Sequence, residues 1–179
     1  MQTKTSPDRY GKISRALHWG MAFLFGWQFA GMLSKVTLGK DHAATKLLSG
    51  NHSQIGTLLF VLICIRLLWS LKTLGERPRH DEGFAGMAAR IGHIVLYALM
   101  LIIPSAALIR AWGGERAFAP FGFEIFSARA KEDVNVAAVD FGGNFHGELG
   151  WALFALILGH IGMALYHHHV KKDGLLNRM

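Results

Sequence analysis

The sequence predicts an all-α integral membrane protein, a four-helix bundle with both termini cytoplasmic. Three observations predict it. Of the 179 residues, 51% are hydrophobic and 17% charged, and the apolar ones come in long blocks rather than with the periodicity of a soluble core. The formal net charge of +7 is carried by short basic segments flanking those blocks. Trp19, Trp69, Trp112 and Trp151 fall near block ends, as interfacial aromatics do. Trp27 is mid-block and does not fit that belt.

Residues 1–15 are polar and basic (Lys4, Arg9, Lys12, Arg15), and Ala16–Ser34 then runs without a charge. That run is too long for a signal-peptide core and ends in no clear cleavage site, so it reads as an uncleaved first helix. A polar loop with Lys35, Lys40, Asp41, His42 and Lys46 leads to a second run interrupted only by Arg66. Residues 72–90 form a charged connector that includes His80. The third run lies between Arg90 and Arg110 and holds His93 and Pro104. Segment 110–145 is rich in Gly and Phe and reads as an ordered cap on the bilayer surface. The last run ends in His167, His168, His169 and a basic tail. The chain is thus one domain, 1–179, with spans near 14–34, 48–71, 88–109 and 146–170. Four spans put both termini on one side. Most of the 19 lysines and arginines fall on that side, which makes it cytoplasmic.

Basic residues that flank apolar blocks, rather than forming one patch, argue against a nucleic-acid partner. The single Cys64 removes disulfide and Cys-based metal frameworks, and no Cys-x-x-Cys-His stands ready for covalent haem attachment.

The chemistry is carried by histidines. His146 and His160 are fourteen residues apart on the last span, about 40° short of four full turns and about 21 Å along the axis, so they share a face at two depths. With the predicted topology His52 matches His146 in depth and His18 matches His160. A b-type haem takes two imidazoles from facing helices, and two such pairs provide for two haems. Zinc would gather three or four ligands at one depth, which this arrangement does not. Arg66 is fourteen residues after His52, on the same face at the inner level. There it meets a haem propionate or a quinone headgroup, or else snorkels to the interface. His93 sits at the inner edge as a hydrogen-bond donor to a propionate or quinone, or as an ordinary interfacial histidine. His167 is seven residues past His160 and roughly on its face, which favours it for a quinone or proton role. Gly56, Gly147, Gly150, Gly159 and Gly162 cluster around the ligands, through room for a flat macrocycle or through close helix approach. His42 and His80 are loop histidines expected in solvent.

Arg-Ala-Leu-His18-Trp19, Asn-His52-Ser-Gln-Ile-Gly56, Ile-Arg66-Leu-Leu-Trp69, Ile-Gly-His93, Phe-His146-Gly-Glu-Leu-Gly and the closing Tyr-His-His-His-Val-Lys-Lys-Asp segment resemble the bacterial cytochrome b561 family over essentially the whole chain. The resemblance implies a dihaem cytochrome of the bacterial inner membrane, ligated by His18, His52, His146 and His160. It further implies an oxidoreductase of superoxide oxidase type, with ubiquinone reduced near the inner haem and His168 at the quinone. Related cytochromes serve instead as relay subunits of larger redox complexes, which is the competing function. Expected partners are lipid, a quinone and a small anionic or protein donor at the outer face, with a homodimer as an option. Arg110, Arg116, Arg129 and Lys131 would attract an anionic donor locally, because Glu115, Glu124, Glu132 and Asp133 largely cancel their charge.

Overall fold

The computed structural model describes residues 9–76 and 83–178; Lys4, Arg77, Arg79 and His80 lie outside them. Four long helices dominate. They are α1 (Lys12–Leu38), α3 (His52–Lys72), α4 (Phe84–Gly113) and α5 (Val136–Tyr166), with a short α2 (Ala43–Ser49) before α3. No strand is present among the described residues, only an isolated bridge between Phe118 and Phe126. Three stretches are long and apolar enough to cross a membrane: Ala43–Lys72, Gly86–Gly113 and Val136–Lys171. Helix α1, at 27 residues, is nearly as long, but His18, Gln28 and Ser34 and the glycines at 20, 26 and 31 dilute its apolar character. Tyr10 N–H donates to the Arg178 carbonyl at 2.9 Å, so the two ends of the described chain meet at one end of the bundle.

The bundle is fastened differently along its length. Met21 of α1 packs with Leu59 and Ile63 of α3, and Leu96 and Ile103 of α4 pack with Leu153 of α5. Phe25 and Met100 touch both clusters and join them. Around this thin core many large apolar side chains are exposed, as expected where the solvent is lipid rather than water. Along α3, Leu58, Val61, Ile65 and Leu68 form one exposed stripe at helical spacing.

The half of α1 away from the chain termini carries α2 on its flank; that end of the bundle is labelled outer, and the end where the termini meet inner, after the expected topology. A Cβ on Gly31 would stand 3.2 Å from the Leu48 backbone, and the Trp27 indole N–H donates to the Leu48 carbonyl at 3.1 Å. Trp27 therefore misses the interfacial belt because it ties α2 to α1, satisfying one of the orphan carbonyls at the end of that short helix. His42, expected as a merely solvated residue, is the N-cap of α2: its Nδ1 accepts from Ala44 N–H at 3.2 Å.

Two boundaries differ from the sequence reading. The apolar run expected to begin near 48 breaks at Gly50–Asn51, which separates α2 from α3. Helix α5 starts at Val136, ten residues upstream of the expected span start, so the cap shrinks to residues 114–135. Gly142, Gly143 and Asp140 hide that extension in the sequence, and packing on α4 overrides their weak helix propensity. At Gly142 the two helices approach so closely that a Cβ would collide with the Ala106 carbonyl and the Arg110 backbone.

Candidate redox site

Two histidine pairs face each other across the bundle. At the outer level His52 opens α3 and meets His146 of α5, ring centroids 5.8 Å apart and planes at 82°. At the inner level His18 of α1 meets His160 of α5 at 6.3 Å and 72°. The pairing inferred from depth is thus the pairing observed, with α5 contributing to both levels. Fourteen residues of helix separate its two histidines by about 21 Å.

A backbone carbonyl takes part on each side of the outer pair. Ile103 sits one residue before Pro104, and its carbonyl accepts a hydrogen bond from His146 Nδ1 at 3.0 Å. A carbonyl only accepts, so Nδ1 carries the proton and Nε2 keeps its lone pair for a metal. On the opposite side Gln28 Nε2 donates to the His52 carbonyl at 3.0 Å, which pins the first turn of α3 to mid-α1. Gln28 is buried, with its Oε1 unpaired among the described residues. Sequence reasoning passed it over, although an uncharged polar residue in an apolar run was signal enough to ask what it bonds.

The inner level is more polar. His93 of α4 lies 5.4 Å from His160, so three imidazoles gather there, and the charge of Arg66 acts on both His18 and His160. Arg66 Nε donates to Tyr97 Oη at 3.1 Å, with the guanidinium carbon 5.7 Å from the ring centre. The sequence reading expected Arg66 at this level and missed Tyr97, which is one turn after His93 on α4 and shares its face.

The terminal histidines do not act as one group. Helix α5 ends in a π-helical turn, His167–Lys171, closed by Lys172 in the left-handed region at φ 53°. His167 Nδ1 pairs with Asp173 Oδ2 at 2.5 Å. His168 and His169 stack edge to face at 4.9 Å, and His168 Nδ1 is buried without a hydrogen-bond partner among the described residues. Asp173 also lines a cleft of about 420 Å³ with Arg9, Gly174, Asn177 and Arg178. The sequence did not single out Asp173.

The residues present fit b-type haem. A metal–imidazole bond is about 2 Å; two of them plus the ring dimensions put the centroids of two trans imidazoles roughly 6 Å apart. His18–His160 and His52–His146 match that distance, whereas His93–His160 is tighter. A Cβ at Gly147, Gly150, Gly159 or Gly162 would meet nothing within 4 Å, so helix contact does not account for these four. Of these, Gly150 stands one turn after His146 on the ligand-bearing face of α5, where it leaves room for a flat ring. Gly56 differs, since its Cβ would touch Gln28 Nε2 at 3.4 Å, a helix-contact distance. No group of three or more His, Cys, Asp or Glu among the described residues is arranged to hold a metal ion by itself.

Comparison with known proteins gives the family. The profile of the prokaryotic cytochrome b561 family matches residues 9–179. Cytochrome b561 homolog 2 of Escherichia coli (strain K12) is 35% identical over 185 residues, covering 100% of this chain and 95% of that protein. Cytochrome b561 homolog 1 of the same organism is 25% identical over 177 residues, covering 96% and 97%. From helices long and apolar enough to span a bilayer, facing imidazoles and a match over nearly its whole length, the chain is a membrane haem protein of electron transfer and belongs to the prokaryotic cytochrome b561 family.

Proposed function

We propose that the chain binds two b-type haems, one between His52 and His146 and one between His18 and His160, and acts as a superoxide:ubiquinone oxidoreductase of the bacterial inner membrane. The observation that carries this reading is the stacking of two imidazole pairs at metal-spanning separation along one helix. Bound haem supplies reversible one-electron transfer; the protein's part is ligation, burial and the handling of charge and protons.

In balance, two superoxide ions each give up one electron and leave as dioxygen, while one ubiquinone takes two electrons and two protons to become ubiquinol. At the outer end Arg116 and Lys131 are exposed to attract an anion, and Arg129 is held over Trp112 at 5.1 Å. Acidic neighbours keep that attraction local. At the inner end Arg66, steadied by Tyr97, offers a fixed positive charge to a propionate or to a quinone oxygen, and His93 offers a donor beside it. The unpaired His168 Nδ1 supports a direct contact with quinone. His167, held by Asp173, is suited to deliver the proton: the carboxylate accepts from the ring's Nδ1–H and fixes its orientation, leaving Nε2 as the atom that faces the quinone side. The positive-inside rule puts this end, with both termini, in the cytoplasm.

The test is purified protein alone, given superoxide and a soluble ubiquinone analogue, with a haem count per chain. Catalysed quinol formation with two haems per chain is expected. Two haems without quinone reduction would leave a relay subunit, and a colourless preparation would end the reading.

A further inference from the structure

We propose that the tip of the outer cap, Phe121–Ile125, is a lipid anchor, inserted at the headgroup–acyl boundary beside α3. The tip is built to present apolar side chains. Phe118 N–H donates to the Phe126 carbonyl and Ile125 N–H to the Phe118 carbonyl, both at 2.8 Å. Gly122 and Phe123 N–H close the turn on the Ala119 and Pro120 carbonyls at 3.2 and 3.1 Å. Within this turn Phe121 holds φ 57°, a left-handed conformation that a bulky residue adopts only when the surroundings impose it. What the turn displays is Phe121, Phe123 and Ile125, exposed by 59, 77 and 50%. Three large apolar side chains at a loop tip are costly in water and favourable in lipid.

Height in the bundle decides between those two solvents. Pro120 is buried and the Pro120–Gly122 turn packs on α3 itself. Helix α3 begins at His52, level with His146. Helix α5 runs ten residues beyond His146, from Val136, and α4 runs ten beyond Ile103 to Gly113, each about 15 Å further out. The tip therefore sits at a height that α4 and α5 are still crossing, not above the bundle. Charge is kept on the other side of the hairpin: alternation turns Glu124 away from Phe123 and Ile125, and Ser127 Oγ bonds Glu124 Oε1 at 2.5 Å. At the base of the cap, Arg129 stacked on the exposed Trp112 forms the aromatic–cationic pair typical of a membrane–water interface.

The occupant is the bilayer, and depth measurement tests it. In a Cys64→Ser background, holoprotein carrying Phe123→Cys, Phe121→Cys, Leu68→Cys or Lys131→Cys is spin-labelled and reconstituted in phosphatidylcholine–phosphatidylglycerol vesicles. Collision of the label with oxygen and with a water-soluble nickel chelate is then compared. Labels at 121 and 123 should favour oxygen over the chelate several-fold, as at 68, while the label at 131 favours the chelate. If 121 and 123 behave like 131, the tip is in water and the proposal falls. If both are shielded from oxygen and chelate alike, a protein surface such as a second copy covers the tip, and the proposal falls equally.

Discussion

The two ends of the bundle hold similar histidine pairs in dissimilar surroundings. At the outer end the fastening is backbone-made: Gly142 admits α4 against α5, Gly31 admits α2 against α1, and carbonyl hydrogen bonds set His146 and the start of α3. At the inner end the surroundings are side chains that carry charge or protons: Arg66, Tyr97, His93 and the His167–Asp173 pair. Under the proposed function, the outer end holds one geometry while the inner end exchanges protons and meets the quinone. One helix serves both because a spacing of fourteen residues repeats its face at two depths.

The largest effects come from breaking one pair at a time. His146→Ala should remove the outer haem and His18→Ala the inner one, each leaving one haem of two by pyridine-haemochrome count and a single transition in redox titration. Loss of both haems from either variant would mean that the levels are not independent units, and the contrast between the two ends would lose its basis.

Next in size is the structural side of the contrast. Gly142→Ala forces a methyl into the Ala106 carbonyl and the Arg110 backbone; overpacking of this kind costs about 1–3 kcal/mol. Thermal unfolding in detergent should show a clear drop in midpoint. Gly150→Ala, one turn after His146 on its face and with no protein atom within 4 Å of the added methyl, should leave unfolding of the haem-free chain nearly unchanged while impairing haem retention. Equal destabilisation of the haem-free chain by both would contradict the division of the glycines into helix-contact and cofactor-facing sets.

How far the sequence carries this picture follows from the same contrast. Periodicity and depth are arithmetic on one chain, so His18, His52, Arg66, His146 and His160 could be placed and paired before any coordinates. Contacts made by backbone are invisible to that arithmetic. Nothing in Ile103 announces that its carbonyl orients His146, and nothing in Leu48 announces that it binds Trp27. Gly142 reads as a helix breaker until α4 is laid against it. The glycines flanking the ligands allowed two explanations, and the observed contacts divide them: Gly56 touches Gln28, whereas Gly147, Gly150, Gly159 and Gly162 touch no neighbour. Tyr97 and Asp173 were legible in principle, one at helical spacing from His93 and the other six residues after His167, but each matters only through a partner.

Electrostatics at the inner end supplies the third prediction. At an effective dielectric near 20, a unit charge roughly 8 Å from a redox centre acts with about 2 kcal/mol. Arg66→Ala should therefore lower the inner haem's potential distinctly and the outer's little, as read by redox titration. Tyr97→Phe, which removes the hydroxyl that Arg66 Nε bonds, should move the same potential by a smaller amount in the same direction. Equal shifts at both haems would show that Arg66 snorkels to the interface instead of facing the inner site.

The smallest and most specific effect concerns Asp173. If the inner end manages protons, Asp173→Asn leaves His167 with a neutral partner in place of the carboxylate that holds its ring. Reduction of both haems by the donor should proceed at the unaltered rate, since no proton is required for that step. Quinol formation should slow by about tenfold, at the low end of what loss of an orienting partner costs, with a larger solvent isotope effect. Were Asp173 only a cap on the last turn of α5, the substitution would shift thermal stability and leave the isotope effect where it was.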